Sequence, residues 1–296
     1  MTVRWGAPIM SAAATCSLEL AAMSETKIGF IGLGDMGEPM AARLLGAGFT
    51  VSSCAHRRRQ AIEALKEKGL IERPDPGAVA QDADILITIV LDKNQTDQVL
   101  HGPSGCLSRL RDGATIIVMS TLEPGYCQTL AETVRSRGID VVECPVSGAR
   151  PRAENGTLVL IAGGDAAVIE RCRPALEPMG TIHFCGGLGA AMTIKLANNA
   201  LAIGTFAVLL EVRAVARAYG ADLEALMAVC RNGTGNCFVV QAWDLIAANR
   251  EALAVLALKD GELCRAAAVA KDVPTAVIEA FLAKPWKQIG AGTVEL

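Results

Sequence analysis

The sequence predicts an α/β fold in which a doubly wound parallel sheet is followed by an all-α C-terminal domain. From Lys27 onwards, short apolar runs alternate with amphipathic stretches, the first run ends in a glycine-rich turn, and strand signals stop after Gly189. Continuous apolar strands that alternate with helices are typical of a parallel sheet covered by helices on both faces. The amphipathic stretches after Gly189 then indicate a separate helical domain.

Apolar runs predict seven strands, at Lys27–Gly32, Thr50–Cys54, Asp84–Val90, Thr115–Met119, Ile139–Glu143, Thr157–Ile161 and Thr181–Phe184. Helical periodicity between them predicts helices at Glu38–Leu45, Arg59–Lys68, Gln128–Arg137 and Ala166–Leu176. Further helices are predicted at Ala190–Tyr219, Leu223–Cys230, Phe238–Ala248 and Lys259–Val269. The expected division is an N-terminal extension at 1–24, disordered or not native, a nucleotide-binding domain at 25–187 and a helical domain at 188–296.

Composition narrows the class of partner. The chain has 296 residues, 51% of them hydrophobic, and a net charge of -3 without a basic block, so we expect a folded protein that does not bind nucleic acid. The longest apolar run, Leu196–Leu210, is short and flanked by polar residues, which favours a buried helix over a membrane span. The 10 cysteines lack metal-binding spacing and predict reduced thiols, hence a cytoplasmic protein. No metal site is predicted.

The glycine-rich turn carries the first functional prediction. It follows the first strand directly and opens a helix, with the sequence Gly32-Leu33-Gly34-Asp35-Met36-Gly37. In a Rossmann-type fold the first glycine of G-x-G-x-x-G permits the tight turn, and the second admits the pyrophosphate of a dinucleotide. The third lets the helix pack closely on the strand. We therefore predict these six residues as cofactor-binding, with an ordinary glycine turn as the alternative.

The end of the second strand bears on which dinucleotide binds. Enzymes that use NAD usually place an acidic residue there for the ribose hydroxyls, but this chain continues from Ser53 to Arg59 without an acid. Arg57 and Arg58 are suited to a 2′-phosphate, because a guanidinium binds phosphate through paired donors. The sequence predicts NADP as the cofactor, with NAD as the alternative.

Four separated motifs resemble the β-hydroxyacid dehydrogenase family, which includes 3-hydroxyisobutyrate dehydrogenase and tartronate semialdehyde reductase and lies in the 6-phosphogluconate dehydrogenase superfamily. The resemblance extends from Lys27 to about Val277. Its motifs are the glycine turn in Gly29–Ala41, Met119-Ser120-Thr121, Cys144-Pro145-Val146-Ser147-Gly148, and Gly186–Gly189 followed by Lys195-Leu196-Ala197-Asn198-Asn199. A later Lys259-Asp260 is similar to a Lys-Asp pair of the family. The second glycine expected after Ser147 is Ala149 here.

The resemblance implies roles for individual residues. Lys195 would be the catalytic acid/base, and a substrate carboxylate would be bound by Ser147, Gly148, Ala149 and Asn199. Thr121, Lys259 and Leu91 would contact the cofactor. Arg150 and Arg152 would either add a charge contact to the substrate or be solvated. The family also implies a homodimer or homotetramer assembled through the helical domain.

The chemistry fits these assignments, because reducing a carbonyl by hydride requires a proton for the oxygen, and a lysine of lowered pKa can supply it. Asn199 lies one helical turn after Lys195 and would share its face. The leading prediction is an NADP-dependent reductase of small hydroxy acids or semialdehyde acids. Two alternatives are kept: an imine reductase of the same fold, whose members usually carry Asp or Tyr at the position of Lys195, and a nucleotide-binding protein without turnover.

Overall fold

The computed structural model describes residues 26–56 and 59–283. The predicted extension at 1–24 and the two arginines at 57 and 58 lie outside these ranges. The chain forms two compact units. The first contains the described residues through Ser120 together with Gly125–Ala191, and the second contains Thr121–Pro124 and the described residues from Met192 onwards.

The first unit is built on a six-stranded sheet in which every neighbouring pair of strands is parallel. Its strands are β1 (Lys27–Ile31), β2 (Thr50–Cys54), β3 (Ile71–Arg73), β4 (Ile85–Thr88), β5 (Thr115–Val118) and β6 (Asp140–Glu143). Their order is β3-β2-β1-β4-β5-β6, which is the Rossmann order. The predicted doubly wound sheet is therefore confirmed. Strand β3, which the sequence analysis missed, is only three residues long and half-buried or exposed, so it has no apolar run.

Seven helices of the first unit follow its strands. They are α1 (Gly37–Gly46), α2 (Gln60–Lys66), α3 (Pro76–Ala80), α4 (Lys93–His101), α5 (Tyr126–Val134), α6 (Ala149–Asn155) and α7 (Ala166–Leu176). Asp75, Asp92 and Asp165 cap three of them by accepting backbone hydrogen bonds from the first turn. The core of the unit is formed where β1 and α1 bury Phe30, Met40 and Leu44 completely.

One part of the predicted sheet is wrong. The segments at Thr157–Ile161 and Thr181–Phe184 were expected in the parallel sheet, but they form a second sheet of β7 (Val146–Ser147), β8 (Leu158–Ala162) and β9 (Gly180–Phe184). Strand β7 is antiparallel to β8, and β9 is parallel to it. A single antiparallel bridge between Glu143 and Gly163 joins the two sheets. An apolar run indicates that a strand is buried but not which sheet it joins, so the sequence could not reveal this division.

The second unit is helical among its described residues. Its helices are α8 (Ala190–Ala218, whose first two residues belong to the first unit), α9 (Leu223–Asn232), α10 (Phe238–Gln241), α11 (Trp243–Ala248), α12 (Arg250–Val269) and α13 (Ala276–Ala283). The helix predicted at Phe238–Ala248 is split at Ala242, and the one predicted from Lys259 starts earlier, at Arg250. Phe206 and Trp243 stack in the core of this unit with ring centroids 5.6 Å apart.

Helix α8 meets the expectation of a buried helix on one face only, where Phe206, Leu209 and Leu210 lie in the core of the second unit. Its most apolar 18-residue window has a mean hydropathy of 1.5, and only 28% of that window is buried inside the structure. Leu201 is 74% exposed and Val208 is 60% exposed. By length and composition alone this helix could cross a membrane, although helices of water-soluble proteins also pass that test. The sequence is apolar on most sides of α8, so periodicity could not indicate which face its own chain leaves uncovered.

Candidate functional site

The glycine turn between β1 and α1 has a backbone that tolerates no side chain at two of its three glycines. Gly32 has a φ of +107°, and a Cβ there would lie 2.0 Å from the carbonyl oxygen of Ile89. A Cβ on Gly37 would lie 1.8 Å from the carbonyl oxygen of Gly32. These two positions therefore require glycine for the tight turn and for the close approach of helix to strand.

The middle glycine differs in kind. A Cβ on Gly34 would meet no atom within 4 Å, and both Gly34 and Asp35 are exposed. The space above Gly34 is therefore open at the point where α1 begins, and unpaired N–H groups at such a helix start attract phosphate. A dinucleotide pyrophosphate fits this turn, since the backbone leaves room for it and the following helix supplies a partial positive charge.

The residues proposed for the ribose end of the cofactor are only partly described. Arg57 and Arg58 lie outside the described residues. The next cation, Arg59, is exposed and already paired with acids of the same unit, since its Nη2 lies 2.7 Å from Glu63 and 2.9 Å from Glu72. Leu91 follows β4 at the carboxyl edge of the sheet and is 44% exposed. That edge is where open α/β sheets bind ligands, so the position of Leu91 is compatible with a cofactor contact.

The predicted substrate-binding loop lies at the end of β7. Ser147 is half-buried, Gly148 has a φ of +136°, and Ala149 has a φ of +59°. Ser147 thus ends a strand of the small sheet rather than of the main parallel sheet. Ala149 occupies the left-handed region, which favours glycine, at the position where the family motif has its second glycine.

Arg150 follows this loop and contacts the glycine turn. Its Nη1 donates to the carbonyl oxygen of Asp35 at 3.2 Å and lies 3.3 Å from Oε2 of Glu38, while its Nε donates to Glu154 at 2.8 Å. The sequence analysis left open whether Arg150 contacts substrate or solvent. In the structure, its guanidinium pairs with Glu38 and Glu154 and contacts the glycine turn that is predicted to bind the cofactor. No sequence signal links residues this far apart in the chain.

Lys195 lies on α8 in the second unit and is buried, with 7% of its surface exposed. Burial lowers the pKa of Lys195 to about 8, the carboxylate of Asp260 opposes this effect, and the positive charge of Lys259 adds to it. Lys195 is therefore not a solvated surface lysine. An amine with such a pKa is present in both protonation states near neutral pH, so it can donate or accept a proton.

A polar cluster accompanies Lys195 in the same unit. Asn199 donates from Nδ2 to Oδ2 of Asp260 at 2.6 Å. Lys259 lies 2.7 Å from Oδ1 of Asp260 and donates to the carbonyl oxygen of Thr121 at 3.1 Å. Asp260 itself is buried. Four residues singled out from the sequence, Lys195, Asn199, Thr121 and Lys259, are thus brought together around a carboxylate that the site prediction had left out, although the Lys259-Asp260 dipeptide had marked its position.

Glu143 is a second carboxylate that the sequence analysis missed. It ends β6, is fully buried, and its Oε1 accepts hydrogen bonds from the backbone of Gly189 at 2.9 Å and Ala191 at 2.7 Å. A Cβ on Gly163 would lie 2.7 Å from the same oxygen. Glu143 therefore caps the start of α8, the helix that carries Lys195 one turn further on.

Across the ranges 26–56 and 59–283, no group of three or more His, Cys, Asp or Glu side chains could hold a metal ion. The nine cysteines in the described part of the chain are free thiols, and four of them are buried.

Comparison with known sequences gives two family matches. The family described as the NAD binding domain of 6-phosphogluconate dehydrogenase matches residues 27–200. The family described as NAD-binding of NADP-dependent 3-hydroxyisobutyrate dehydrogenase matches residues 189–290. Together the two matches span both units.

Individual relatives agree with these matches. The probable mitochondrial 3-hydroxyisobutyrate dehydrogenase-like 1 of Arabidopsis thaliana is 33% identical over 223 residues, which cover 75% of this chain and 66% of that protein. The 2-hydroxy-3-oxopropionate reductase of Escherichia coli K12 is 35% identical over 202 residues, which cover 66% of this chain and 67% of the relative.

Solved structures are similar over nearly the whole chain. The Mycobacterium tuberculosis 3-hydroxyisobutyrate dehydrogenase, determined with L-serine, is 27% identical with a TM-score of 0.78, covering 92% of this chain and 96% of that one. An imine reductase from Pseudomonas sp. is 21% identical with a TM-score of 0.62, also covering 92% and 96%. At that identity the second likeness concerns the fold alone.

Proposed function

Because this chain belongs to the β-hydroxyacid dehydrogenase family, we propose that it transfers a hydride between NADP(H) and a small β-hydroxy acid or its semialdehyde, with Lys195 as the general acid/base. The observation that carries this proposal is the buried amine of Lys195, whose pKa is lowered to about 8. A surface lysine would stay protonated at neutral pH and could not accept a proton from an alcohol.

The proton balance follows from the two protonation states of that amine. When bound, the nicotinamide supplies or accepts the hydride. In the reductive direction, the ammonium of Lys195 gives its proton to the carbonyl oxygen of the substrate and becomes neutral. In the oxidative direction, the neutral amine removes the hydroxyl proton. Asp260 supports both directions, since it accepts a hydrogen bond from Asn199 and pairs with Lys259 beside the same amine.

For the substrate we propose a small carboxylic acid that carries the reacting oxygen on its β carbon. The hydroxyl of Ser147 and the N–H groups of Gly148 and Ala149 would bind the carboxylate, because the positive φ values turn the backbone sharply at this loop. Asn199 would contact the substrate from α8. The E. coli relative is named for a semialdehyde acid, and the M. tuberculosis structure contains L-serine, which is a β-hydroxy acid.

Preference for NADP is the finer part of the proposal. It rests on the acid-free sequence from Ser53 to Arg59 and on the description of the C-terminal family match as NADP-dependent. Replacing Arg57 and Arg58 together by alanine should raise the KM for NADPH far more than the KM for NADH. Equal changes in both KM values would contradict binding of the 2′-phosphate by these arginines.

The activity is tested by following NADPH oxidation with glyoxylate, succinic semialdehyde, tartronate semialdehyde and a cyclic imine. We expect turnover with at least one acid and a loss of about 100-fold or more in Lys195→Arg, which keeps the charge but cannot become neutral. Lys271→Arg is the matched control on an exposed lysine. Turnover of the imine alone favours an imine reductase. Cofactor binding without any turnover favours the non-catalytic alternative.

We also propose that two copies associate through α8. Its exposed apolar side chains Ile194, Leu201 and Val208 are seven residues apart, and Val212 and Val215 follow at spacings of four and three residues. This spacing is typical of helices that pair with one another.

Light scattering tests the association. We expect a dimer or tetramer that dissociates in Leu201→Glu/Val208→Glu and persists in Val255→Glu, a control that is 62% exposed on α12. A monomeric wild type, or one that pellets with phospholipid vesicles, would contradict self-association as the role of this face.

A further inference from the structure

Two acidic residues, one in the glycine turn and one just after it, lie where a cofactor would bring further negative charge. Asp35 lies within the turn, and Glu38 lies in the first turn of α1, where its backbone N–H donates to the carbonyl oxygen of Gly34 at 3.0 Å. A glutamate at this position stabilises a helix, because its charge interacts favourably with the positive end of the helix dipole. The same charge repels the pyrophosphate that such a turn binds.

Arg150 counters this repulsion in the structure. Its Nη1 lies 3.3 Å from Oε2 of Glu38 and 3.2 Å from the carbonyl oxygen of Asp35, so one nitrogen contacts both the acid and the turn. The side chain of Arg150 is held from its other edge by Glu154, one helical turn along α6. Arg150 lies at the start of α6, directly after the predicted substrate-binding residues 147–149. The contact therefore connects this segment to the glycine turn within one unit.

We propose that Arg150 is a positioning residue that neutralises Glu38 and thereby adapts the glycine turn to a pyrophosphate. The inference rests on the cofactor part of the proposed function and is independent of its substrate. It applies equally to NADP and NAD, because both carry the same pyrophosphate. Glu38 then stabilises α1 but weakens cofactor binding, and Arg150 offsets most of this weakening.

A double-mutant cycle separates this role from a mechanical one. If the contact only held two loops together, Arg150→Met and Glu38→Gln would break it alike and weaken cofactor binding in the same direction. Neutralisation predicts that the two substitutions change the affinity for the cofactor in opposite directions. Removing the arginine uncovers a negative charge beside the phosphates, whereas removing the glutamate takes that charge away.

The measurement is the Kd of NADPH and of NADH by fluorescence titration of the full-length protein. We expect Arg150→Met to weaken both cofactors by the same factor, about 5-fold, and Glu38→Gln to bind both about 2-fold more tightly, as befits partly exposed charges. The double variant should bind more tightly than Arg150→Met alone. These differences should shrink in 0.5 M salt, on the order of a 4 Å screening length.

Two controls accompany the cycle. Arg150→Lys keeps the charge and should retain most of the affinity. Arg173→Met removes an arginine of the same unit that pairs with Glu170 on α7 and with Glu177, the residue that follows this helix, and it should leave both Kd values unchanged.

Three outcomes would overturn the proposal. Weakening in both single variants would indicate a mechanical tie. A double variant no better than Arg150→Met would indicate that the arginine acts on the phosphates directly. Unchanged Kd values, or no binding of either cofactor by the wild type, would remove the role altogether. Failure of the substrate panel with intact cofactor binding would contradict the proposed reaction and leave this inference standing.

Discussion

The two units of this protein prepare their functional groups by different physical means. In the first unit the glycine turn works through backbone shape, because a Cβ added to either of two of its glycines would lie within 2.0 Å of a backbone oxygen. In the second unit the important property is charge, because Lys195 is buried beside an aspartate and a second lysine. The turn is constrained by backbone oxygens, that of Ile89 at Gly32 and that of Gly32 at Gly37. The pKa of Lys195 is lowered mainly by burial, with smaller contributions of opposite direction from Asp260 and Lys259.

The difference predicts which kind of substitution impairs the stability or the binding function of each unit. The glycine turn should be sensitive to added atoms, whereas the site of Lys195 should be sensitive to changed charge. Substitutions at five positions test this contrast, and they are given in order of decreasing expected effect.

The largest effect is expected at the helix start in the first unit. Gly37→Ala places a methyl group 1.8 Å from a backbone oxygen, so the free energy of unfolding should fall by more than about 3 kcal/mol. Gly34→Ala meets no atom within 4 Å and should leave the stability unchanged while weakening NADPH binding at least about 10-fold, since the methyl group fills the phosphate space. Urea unfolding and fluorescence titration measure the two effects. Gly125→Ala, which also meets no atom, should change neither quantity.

The next effect concerns the charge of Lys195. Its pKa of about 8 in the folded chain lies below its ordinary value of 10.5, so the unfolded chain binds more protons between these pH values. Stability should therefore rise with pH from 8 to 10.5, and the penalty should be fully present below pH 8. Lys195→Met should stabilise the protein by up to about 3 kcal/mol at pH 7, and by progressively less as the pH approaches 10.5.

Urea unfolding at several pH values checks this prediction. Lys271→Met, on an exposed lysine, should show no comparable stabilisation at any pH. A gain in Lys195→Met that does not depend on pH would indicate improved apolar packing instead of a relieved charge.

Glu143 sharpens the contrast, because it is a charge on which the first unit depends. Its carboxylate accepts two backbone hydrogen bonds at the start of α8, so Glu143→Ala should lower the free energy of unfolding by about 2–3 kcal/mol. Glu143→Gln can still accept these bonds and should lose only about 1 kcal/mol, the part due to the helix dipole. In urea unfolding, the exposed Glu170→Ala should cost less than about 0.5 kcal/mol. Equal losses in the alanine and glutamine variants would show that charge dominates over hydrogen bonding.

The smallest effect is expected at Ala149. Its φ of +59° costs a non-glycine residue about 1–2 kcal/mol of stability. Glycine removes this strain, but it also raises the conformational entropy of the unfolded chain, which offsets part of the gain. Ala149→Gly should therefore raise the free energy of unfolding by up to about 1 kcal/mol. The same change at Ala131, inside α5, should lower it by about 1 kcal/mol. Thermal melting of both variants shows whether each substitution raises or lowers stability. Lower stability in both variants would contradict strain at Ala149.

The contrast also explains how much the sequence could predict. The fold class, the family and a nicotinamide cofactor were predictable, because the glycine turn and the later motifs are local patterns with local causes. The seven predicted strands all lie in nearly their observed places, including β8 and β9, and among the described residues only the short strands β3 and β7 were not predicted. It could not divide them between two sheets, because an apolar run reports burial and not pairing.

What the sequence missed depends on long-range contacts. Periodicity could not show that α8 leaves an apolar face uncovered, because nearly every side of that helix is apolar. Asp260 and Glu143 were overlooked as carboxylates, although both turn out to hold functional segments through hydrogen bonds to distant residues. The contact from Arg150 to Glu38 joins positions 112 residues apart, which no local pattern encodes.

A direct titration of Lys195 tests the central claim without any substrate. Lysine labelled with ¹³C at the ε carbon gives one resonance per lysine, and the resonance absent from Lys195→Met belongs to the amine in question. The account predicts that this resonance titrates near pH 8, and at a still lower pH in Asp260→Asn, where the opposing carboxylate is gone. Titration at the ordinary value of 10.5 would mean that the amine is solvated, and it would contradict Lys195 as the proton donor and acceptor.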